Sequence, residues 1–356
     1  MGEFEHLFHR VRHGGSTAGV DAHRHSFSER TPTGENCFDT PTRCLCHKYA
    51  GRVKHPARDQ LNRALTMTHT TMFATLTLFT FAAAAASTVS GAPIPDDCKI
   101  GGFAVGCQAW TFNRFSAMEA VEKTALTGSK VIEFYPGQKF SPDQSKLKFD
   151  HNATDEMLEQ IKAHLAKHGV RAVNYGVVGA KDETEWRRIF EFAKKLGLYA
   201  VTTEAVNQLD IIEKLVKEFD IRVAIHNHPK RADNPNYKVW DPSYVLSVVK
   251  NRDARIGACA DTGHWASSGI TPLEGIKMLK GRIVSVHLKD RHAVGKQTED
   301  LPFGAGVLNL KGILDELKDQ GFAGNISVEY ETKWENSVPD VAQCVGFFRG
   351  YGAAQR

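Results

Sequence analysis

The sequence predicts a closed (β/α)8 barrel over residues 98–352, preceded by segments that belong to no domain. Three observations predict it. From Cys98 onward, short apolar runs rich in β-branched residues alternate eight times with longer amphipathic stretches. The runs are single, bounded by Gly and followed by a 3.6-residue period, which marks parallel strands joined by crossover helices rather than hairpins. Eight such units in roughly 250 residues is the size of a closed barrel. A doubly wound open sheet is the other architecture that the same alternation admits.

The first strand-like run is Phe103–Trp110, with a helix expected near 116–127. Lys130–Tyr135 is the second. It is followed by a helix at 155–168, in which Met157, Leu158, Ile161 and Leu165 share one face and Gly169 supplies the stop. Arg171–Val177 leads to a helix at 182–196. Acidic residues open that helix at Asp182-Glu-Thr-Glu and Lys194 and Lys195 close it, each sign where the helix dipole favours it. Tyr199–Glu204, Arg222–Asn227, Ile256–Asp261, Ile283–Leu288 and Asn325–Tyr330 complete the strands, with helices near 208–219, 241–251, 272–280, 309–320 and 338–349.

Ahead of the barrel, residues 1–66 hold seven His and three Cys (Cys37, Cys44, Cys46) with no sustained apolar period, and the Cys spacing fits no zinc pattern. They are read as an upstream, disordered or non-native extension. Arg63, the apolar run from Phe73 to Ala86 and the small residues up to Ala92 have the layout of a signal peptide over 67–92, with translation expected to start at Met67 or Met72. An exported, periplasmic or extracellular chain is the expectation, with no stable membrane anchor after cleavage. Export permits disulfides. Cys98 and Cys344 flank the folded region and are a candidate pair, whereas Cys107 and Cys259 lie in strand-like runs and are expected to be buried.

Composition narrows the function. The chain is 42% apolar and 24% charged, as folded proteins are. Ten basic and seven acidic residues fall in 1–92, which leaves 35 and 34 for residues 93–356. A near-neutral body gives no broad electropositive footprint, so nucleic acid is not expected as a partner.

Barrel chemistry belongs at the C-terminal ends of the strands, and the unusual polar residues fall there. Strand four ends at Glu204, five at His226-Asn-His228, six at Asp261-Thr-Gly-His264, seven at His287-Leu-Lys289 and eight at Glu329-Tyr-Glu331. Carboxylates gathered at one mouth repel one another unless a cation or proton sits among them. Mixed oxygen and nitrogen donors suit Mn, Co, Zn or Fe better than Mg or Ca, so one divalent metal is expected. Residues i and i+2 share a strand face, which pairs Glu329 with Glu331, His226 with His228, and His287 with Lys289. Gln108 and Glu133 are candidate hydroxyl binders, Trp110 a candidate sugar-stacking ring, and His264 and Lys289 further substrate contacts. Gly304-Ala-Gly306 lacks the third Gly and preceding strand of a dinucleotide fingerprint, and is read as backbone closing over the mouth.

The segments Gly106-Cys-Gln-Ala-Trp110, Glu133-Phe-Tyr-Pro-Gly137, Ala224-Ile-His-Asn-His228, Asp261-Thr-Gly-His264, His287-Leu-Lys-Asp290, Pro302-Phe-Gly-Ala-Gly306 and Ser327-Val-Glu-Tyr-Glu331 carry a resemblance. The chain resembles the sugar isomerase/epimerase family with a xylose-isomerase-like TIM barrel, in particular its secreted bacterial branch. The resemblance implies a metal held by strands five to eight, onto which Asp261, His287 and Glu329 fit. Where the family's ketose epimerases carry a strand-five Glu, this chain has His226, and Glu204 is the carboxylate available to replace it. The implied activity is isomerisation or epimerisation of a small sugar or keto-sugar through a metal-stabilised enediolate. Glu329 or Glu331 is the implied base, and Glu204, His228 and Lys289 act as acid or enediolate stabilisers. The broken Glu pair makes elimination on a keto-sugar or keto-inositol a competing chemistry. A retaining glycosidase is disfavoured by His287 at the end of strand seven, and a multi-metal phosphodiesterase by the neutral body. A non-catalytic carbohydrate-binding barrel is the alternative of a different class.

Overall fold

The computed structural model describes residues 93–356. The expected extension at 1–66, with its three Cys, and the signal-like segment at 67–92 lie outside the described residues. Eight parallel strands close on themselves: β1 Phe103–Gln108, β2 Val131–Phe134, β3 Arg171–Tyr175, β4 Ala200–Thr203, β5 Arg222–Ile225, β6 Ile256–Asp261, β7 Ile283–Leu288 and β8 Asn325–Val328. Closure is explicit in β1, which pairs in parallel with β2 (Gln108 opposite Glu133) and with β8 (Val328 opposite Cys107). The barrel replaces the open-sheet alternative.

The helices are α1 Ala117–Leu126, α2 Asp155–His168, α3 Glu183–Leu196, α4 Leu209–Phe219, α5 Pro242–Val249, α6 Thr262–Ser267, α7 Pro272–Met278, α8 Leu310–Asp319 and α9 Val338–Ala354. Local chemistry sets their ends. Ser116 and Glu119 form a reciprocal capping box on α1. α2 stops at Gly169 in the left-handed region, as the sequence predicts.

Three features differ from the sequence reading. Strand one ends at Gln108, because the Gln108 side chain accepts a hydrogen bond from Trp110 N and turns Ala109–Phe112 into a 3-10 helix. The short α6 was not anticipated; Asp261 caps it by accepting from His264 N. Two small hairpins, Gln138–Lys139 with Lys148–Phe149 and Asp290–Arg291 with Asp300–Leu301, lie in loops.

Burial is layered. Ala104, Val131, Val173, Ala200, Ala224, Cys259 and Val284, one from each of seven strands, form a small buried cluster apart from the larger one between sheet and helices. Cys98 packs against the former cluster and Cys344 within the latter, and all four described cysteines are free thiols. The expected Cys98–Cys344 bridge is therefore not formed, whereas Cys107 and Cys259 are buried as expected.

Small residues let neighbouring strands meet. A Cβ on Gly106 would lie 1.9 Å from the Val131 carbonyl oxygen in β2. Gly106→Ala is expected to destabilise the barrel by about 3 kcal/mol or more, because the obstacle is backbone rather than a movable side chain. Urea unfolding checks it, and an unchanged midpoint would show that β1 and β2 separate cheaply.

Candidate active site

The carboxyl ends of β4 to β8 bring their polar residues to one point. Asp261 ends β6 fully buried, and Asn227 clamps its backbone from both sides, donating Nδ2 to Asp261 O (3.1 Å) and accepting from Asp261 N (2.9 Å). Asp261 Oδ1 is used in capping α6, which leaves Oδ2 facing the mouth. His226 Nε2 lies 3.7 Å, His287 Nδ1 3.9 Å and His264 Nε2 3.5 Å from that oxygen. His287 Nδ1 is also 3.2 Å from Glu329 Oε2.

Each of two imidazoles has a carboxylate behind it. Glu204 Oε1 lies 3.3 Å from His226 Nδ1, and Glu133 Oε2 lies 3.0 Å from His287 Nε2. A carboxylate at the outer nitrogen favours, once the ring has lost its extra proton, the tautomer that leaves the inner nitrogen's lone pair for a metal. His226 Nε2, His264 Nδ1 and both nitrogens of His287 are buried without a hydrogen bond. His226, Asp261, His264 and Glu329 each offer a donor atom within 4.8 Å of the others, with His287 Nδ1 beside Asp261 and Glu329, a set that fits a divalent transition metal.

The Lys289 side chain is fully buried in this cluster. Its ammonium lies 2.9 Å from Asp261 Oδ2, 2.8 Å from Glu329 Oε2 and 2.9 Å from Glu331 Oε2. One ammonium thus faces three carboxylates, and Glu133 and Glu204 add two more close by. Burial opposes the charge on His226, Glu329 and Asp261, but the opposite charges around them outweigh it. Burial would lower the His226 pKa, yet its contacts with Asp261 and Glu204 push it up to about 10. Burial would raise the Glu329 and Asp261 carboxyls, yet Lys289 and His287 hold the first, and His264 and Lys289 the second, well below the usual range.

Glu204 is a hub. Its Oε1 accepts from His228 Nδ1 (2.6 Å), Tyr237 OH (2.8 Å) and His226 Nδ1, while Tyr237 OH accepts from His228 N (2.8 Å). His228 stacks on His264 with ring centroids 5.1 Å apart. On the other side of the mouth, Trp110 is 41% exposed and meets Tyr135 and Trp334 edge to face.

The xylose isomerase-like TIM barrel family matches residues 121–349. The chain belongs to that family. An uncharacterised protein from Parabacteroides distasonis is 32% identical, with a TM-score of 0.57, over 70% of this chain and 98% of its own. An inosose isomerase from Bacillus licheniformis is 25% identical over 194 residues, 51% of this chain and 62% of the isomerase, so the chain spans less than two thirds of that relative. A D-psicose 3-epimerase from Clostridium cellulolyticum H10 shares the fold at 14% identity, with a TM-score of 0.53 over 69% of this chain and 97% of its own.

Against this xylose isomerase-like frame, the structure gathers His226, Asp261, His264, His287, Lys289, Glu329 and Glu331 at one mouth, and it places Glu204, Glu133 and Gln108 around them. Glu204 contacts the opposite edge of the His226 ring from Asp261 and shares a separate group of donors with His226 and His228, so it lies beside the four-residue cluster rather than within it. Glu133 is fully buried on β2, where it accepts from Thr202 Oγ1 (3.1 Å) and Ser327 Oγ (2.8 Å); it supports His287 and is not exposed to bind a hydroxyl. Gln108 spends its amide on the backbone, donating to Gly176 O (2.8 Å) and accepting from Trp110 N (2.7 Å), so it is not free for substrate.

The reading also missed residues. Thr262 Oγ1 accepts from Lys289 N (2.9 Å) and holds that strand end in place. Tyr237 arrives from the long segment between β5 and α5, where nothing in the sequence sets it apart. Asp290 anchors the glycine segment at the mouth, accepting from Gly304 N, Gly306 N and Leu308 N at 3.0, 2.9 and 3.1 Å. Asp290→Ala leaves three amides without their acceptor. Faster hydrogen exchange confined to 302–308 is expected, and unchanged protection there would show that Asp290 does not hold the segment.

Proposed function

We propose that the chain is a divalent-metal-dependent isomerase or epimerase of a small sugar or keto-sugar. The observation that carries this reading is the meeting of donor atoms from His226, Asp261, His264 and Glu329 within 4.8 Å of one another at the strand ends, with His287 Nδ1 beside Asp261 Oδ2 and Glu329 Oε2 and two further carboxylates behind the His226 and His287 rings. His226, Asp261, His287 and Glu329 would hold the ion. Bound there, it supplies Lewis-acid polarisation of a carbonyl and its neighbouring hydroxyl.

The chain's own residues do the rest. Glu331 is 26% exposed, more open than Glu329 at 9%, and reaches substrate most readily as the base that takes the proton next to the carbonyl. Lys289, which touches both carboxylates, stabilises the negative oxygen that develops as the C–H bond breaks. His228, 40% exposed and bonded to Glu204, stands where a proton can be returned. Return to the adjacent carbon isomerises; return to the opposite face epimerises. Trp110 offers its face to the apolar side of a sugar ring.

A second reading follows from one observation. With His226 on strand five, the paired carboxylates on opposite faces of the substrate are absent, and loss of a β-hydroxyl from the same carbanionic species makes the protein a lyase acting on a keto-sugar or keto-inositol. Similarity to an inosose isomerase supports a cyclic or open polyhydroxy ketone under either reading. Export belongs to the proposal through residues 67–92. N-terminal sequencing of the native protein is expected to begin near residue 93, and any peptide from 1–60 would remove the start at Met67 or Met72.

The test is elemental mass spectrometry of purified protein alongside Asp261→Ala/His287→Ala, followed by keto-sugar turnover in deuterated water. Divalent metal present in the wild type, reduced by one equivalent in the variant, and solvent deuterium in the product are expected. Sugar binding that survives chelator, with no C–H exchange, would leave a carbohydrate-binding barrel instead.

A further inference from the structure

A second donor cluster lies on the outside of the barrel. His164 and His168 are one helical turn apart on α2 and present their rings on the same side, with centroids 4.5 Å apart. Glu122 reaches them from α1. Its Oε1 is 3.3 Å from His164 Nε2 and 4.0 Å from His168 Nε2. The crossover helices run back from the mouth, so the C-terminal turn of α2 places this cluster toward the opposite end of the molecule, away from the candidate active site.

The geometry points to a second, peripheral metal site: we propose that Glu122, His164 and His168 bind one divalent transition ion, with Zn²⁺ as the fitting species. Two observations carry it independently of the active-site reading. First, three donors of the zinc type meet from two helices, a histidine pair spaced i and i+4 on one and a carboxylate on the next, as in sites with three protein ligands and an open fourth position. Second, His168 Nε2 is buried and has no hydrogen bond, although it faces the other two donors.

The competing partner is a proton. His164 Nε2 also lies 3.2 Å from the Met118 carbonyl oxygen, which only accepts. Without metal, that nitrogen carries a hydrogen directed at Met118 O and Glu122 Oε1. Zn²⁺ binding requires the hydrogen to leave Nε2, with the imidazole becoming the Nδ1–H tautomer. Glu122, with its side chain 47% exposed, has room to turn toward the ion. The Zn²⁺ bound here would join α1 to α2 and keep a position open to water or to an outside ligand.

Zn²⁺ titration of the chelator-treated full chain, by calorimetry and by dialysis with elemental analysis, tests this. The wild type is expected to take two equivalents, His164→Ala/His168→Ala one, and Asp261→Ala/His287→Ala one. Glu122→Gln should weaken the peripheral equivalent at least about tenfold. If the active-site reading alone is wrong, the wild type binds one equivalent, Asp261→Ala/His287→Ala still binds it, and His164→Ala/His168→Ala binds none; that outcome also upholds the peripheral site. Zn²⁺ uptake by His164→Ala/His168→Ala equal to the wild type overturns it. The melting temperature of each variant in chelator, matched to the wild type, separates lost binding from lost fold.

Discussion

Glu329→Gln is expected to lower kcat by about 10²–10⁴ or more, with the fold intact. The change keeps shape and removes one charge, at the residue where two demands meet. Glu329 Oε2 lies within 3.2 Å of His287 Nδ1 and 2.8 Å of Lys289 Nζ, so it is both a donor toward the ion and a counter-charge for the ammonium. Glu331→Gln is the informative partner experiment. Its carboxylate touches Lys289 but lies farther out, so that variant should lose turnover while keeping the wild-type metal content. Glu329→Gln should lose both. Near-normal kcat in Glu329→Gln would remove it from the scheme, and equal metal loss in the two variants would collapse the distinction between ligand and base.

That distinction was only partly legible in the sequence. Period-2 alternation tells which face of a strand a residue occupies, and it placed Glu329 with Glu331 and His287 with Lys289. It carries no information about depth. Glu133 and His287 share the barrel interior, but Glu133 lies behind His287, and only closure of the barrel through β1, β2 and β8 brings Ser327 to it. Gln108 at the end of β1 is a hydroxyl-binder candidate on sequence alone because its backbone partner, Gly176, is distant in sequence. Glu204 is the carboxylate that the sequence offers in place of the strand-five Glu, and residue types alone do not say which ring edge it faces. The structure adds that His226 has two nitrogens and that Glu204 occupies the outer one.

The fold was more legible than the site. Strand β6 and the helix α2 coincide with the sequence reading, since Gly169 and the apolar face of α2 are local signals. The ends of β1, β4 and β5 fell short by one or two residues where side-chain capping or a turn takes over. α6 was missed because Thr262-Gly263 reads as a loop, yet the signal was present: Asp261 immediately before it is a favoured N-cap residue. Recognising Asp261 as a cap also explains why only one of its oxygens faces the mouth.

Lys289→Met is the prediction that separates the ammonium's role from the metal's. Removing one partner of a buried ion cluster costs about 3–5 kcal/mol, because the remaining charges stay buried without compensation. Here the residual charges are Asp261, fully buried, and Glu329, 9% exposed in its side chain, with the more open Glu331 beside them. In chelator, Lys289→Met is therefore expected to unfold at markedly lower urea than the wild type. A divalent ion held by His226, Asp261, His287 and Glu329 neutralises the same carboxylates, so Mn²⁺ or Zn²⁺ should restore part of the loss. Saturation at about 100 times Kd contributes about 2.7 kcal/mol. Turnover should not return with stability, because the group that stabilises the developing oxygen charge is gone. Destabilisation without rescue would mean that the ammonium is the only cation the mouth needs, and the metal would leave the scheme. Rescue of both stability and kcat would instead make Lys289 a counter-ion for the metal-free state alone, and the role assigned to it in catalysis would pass to the ion.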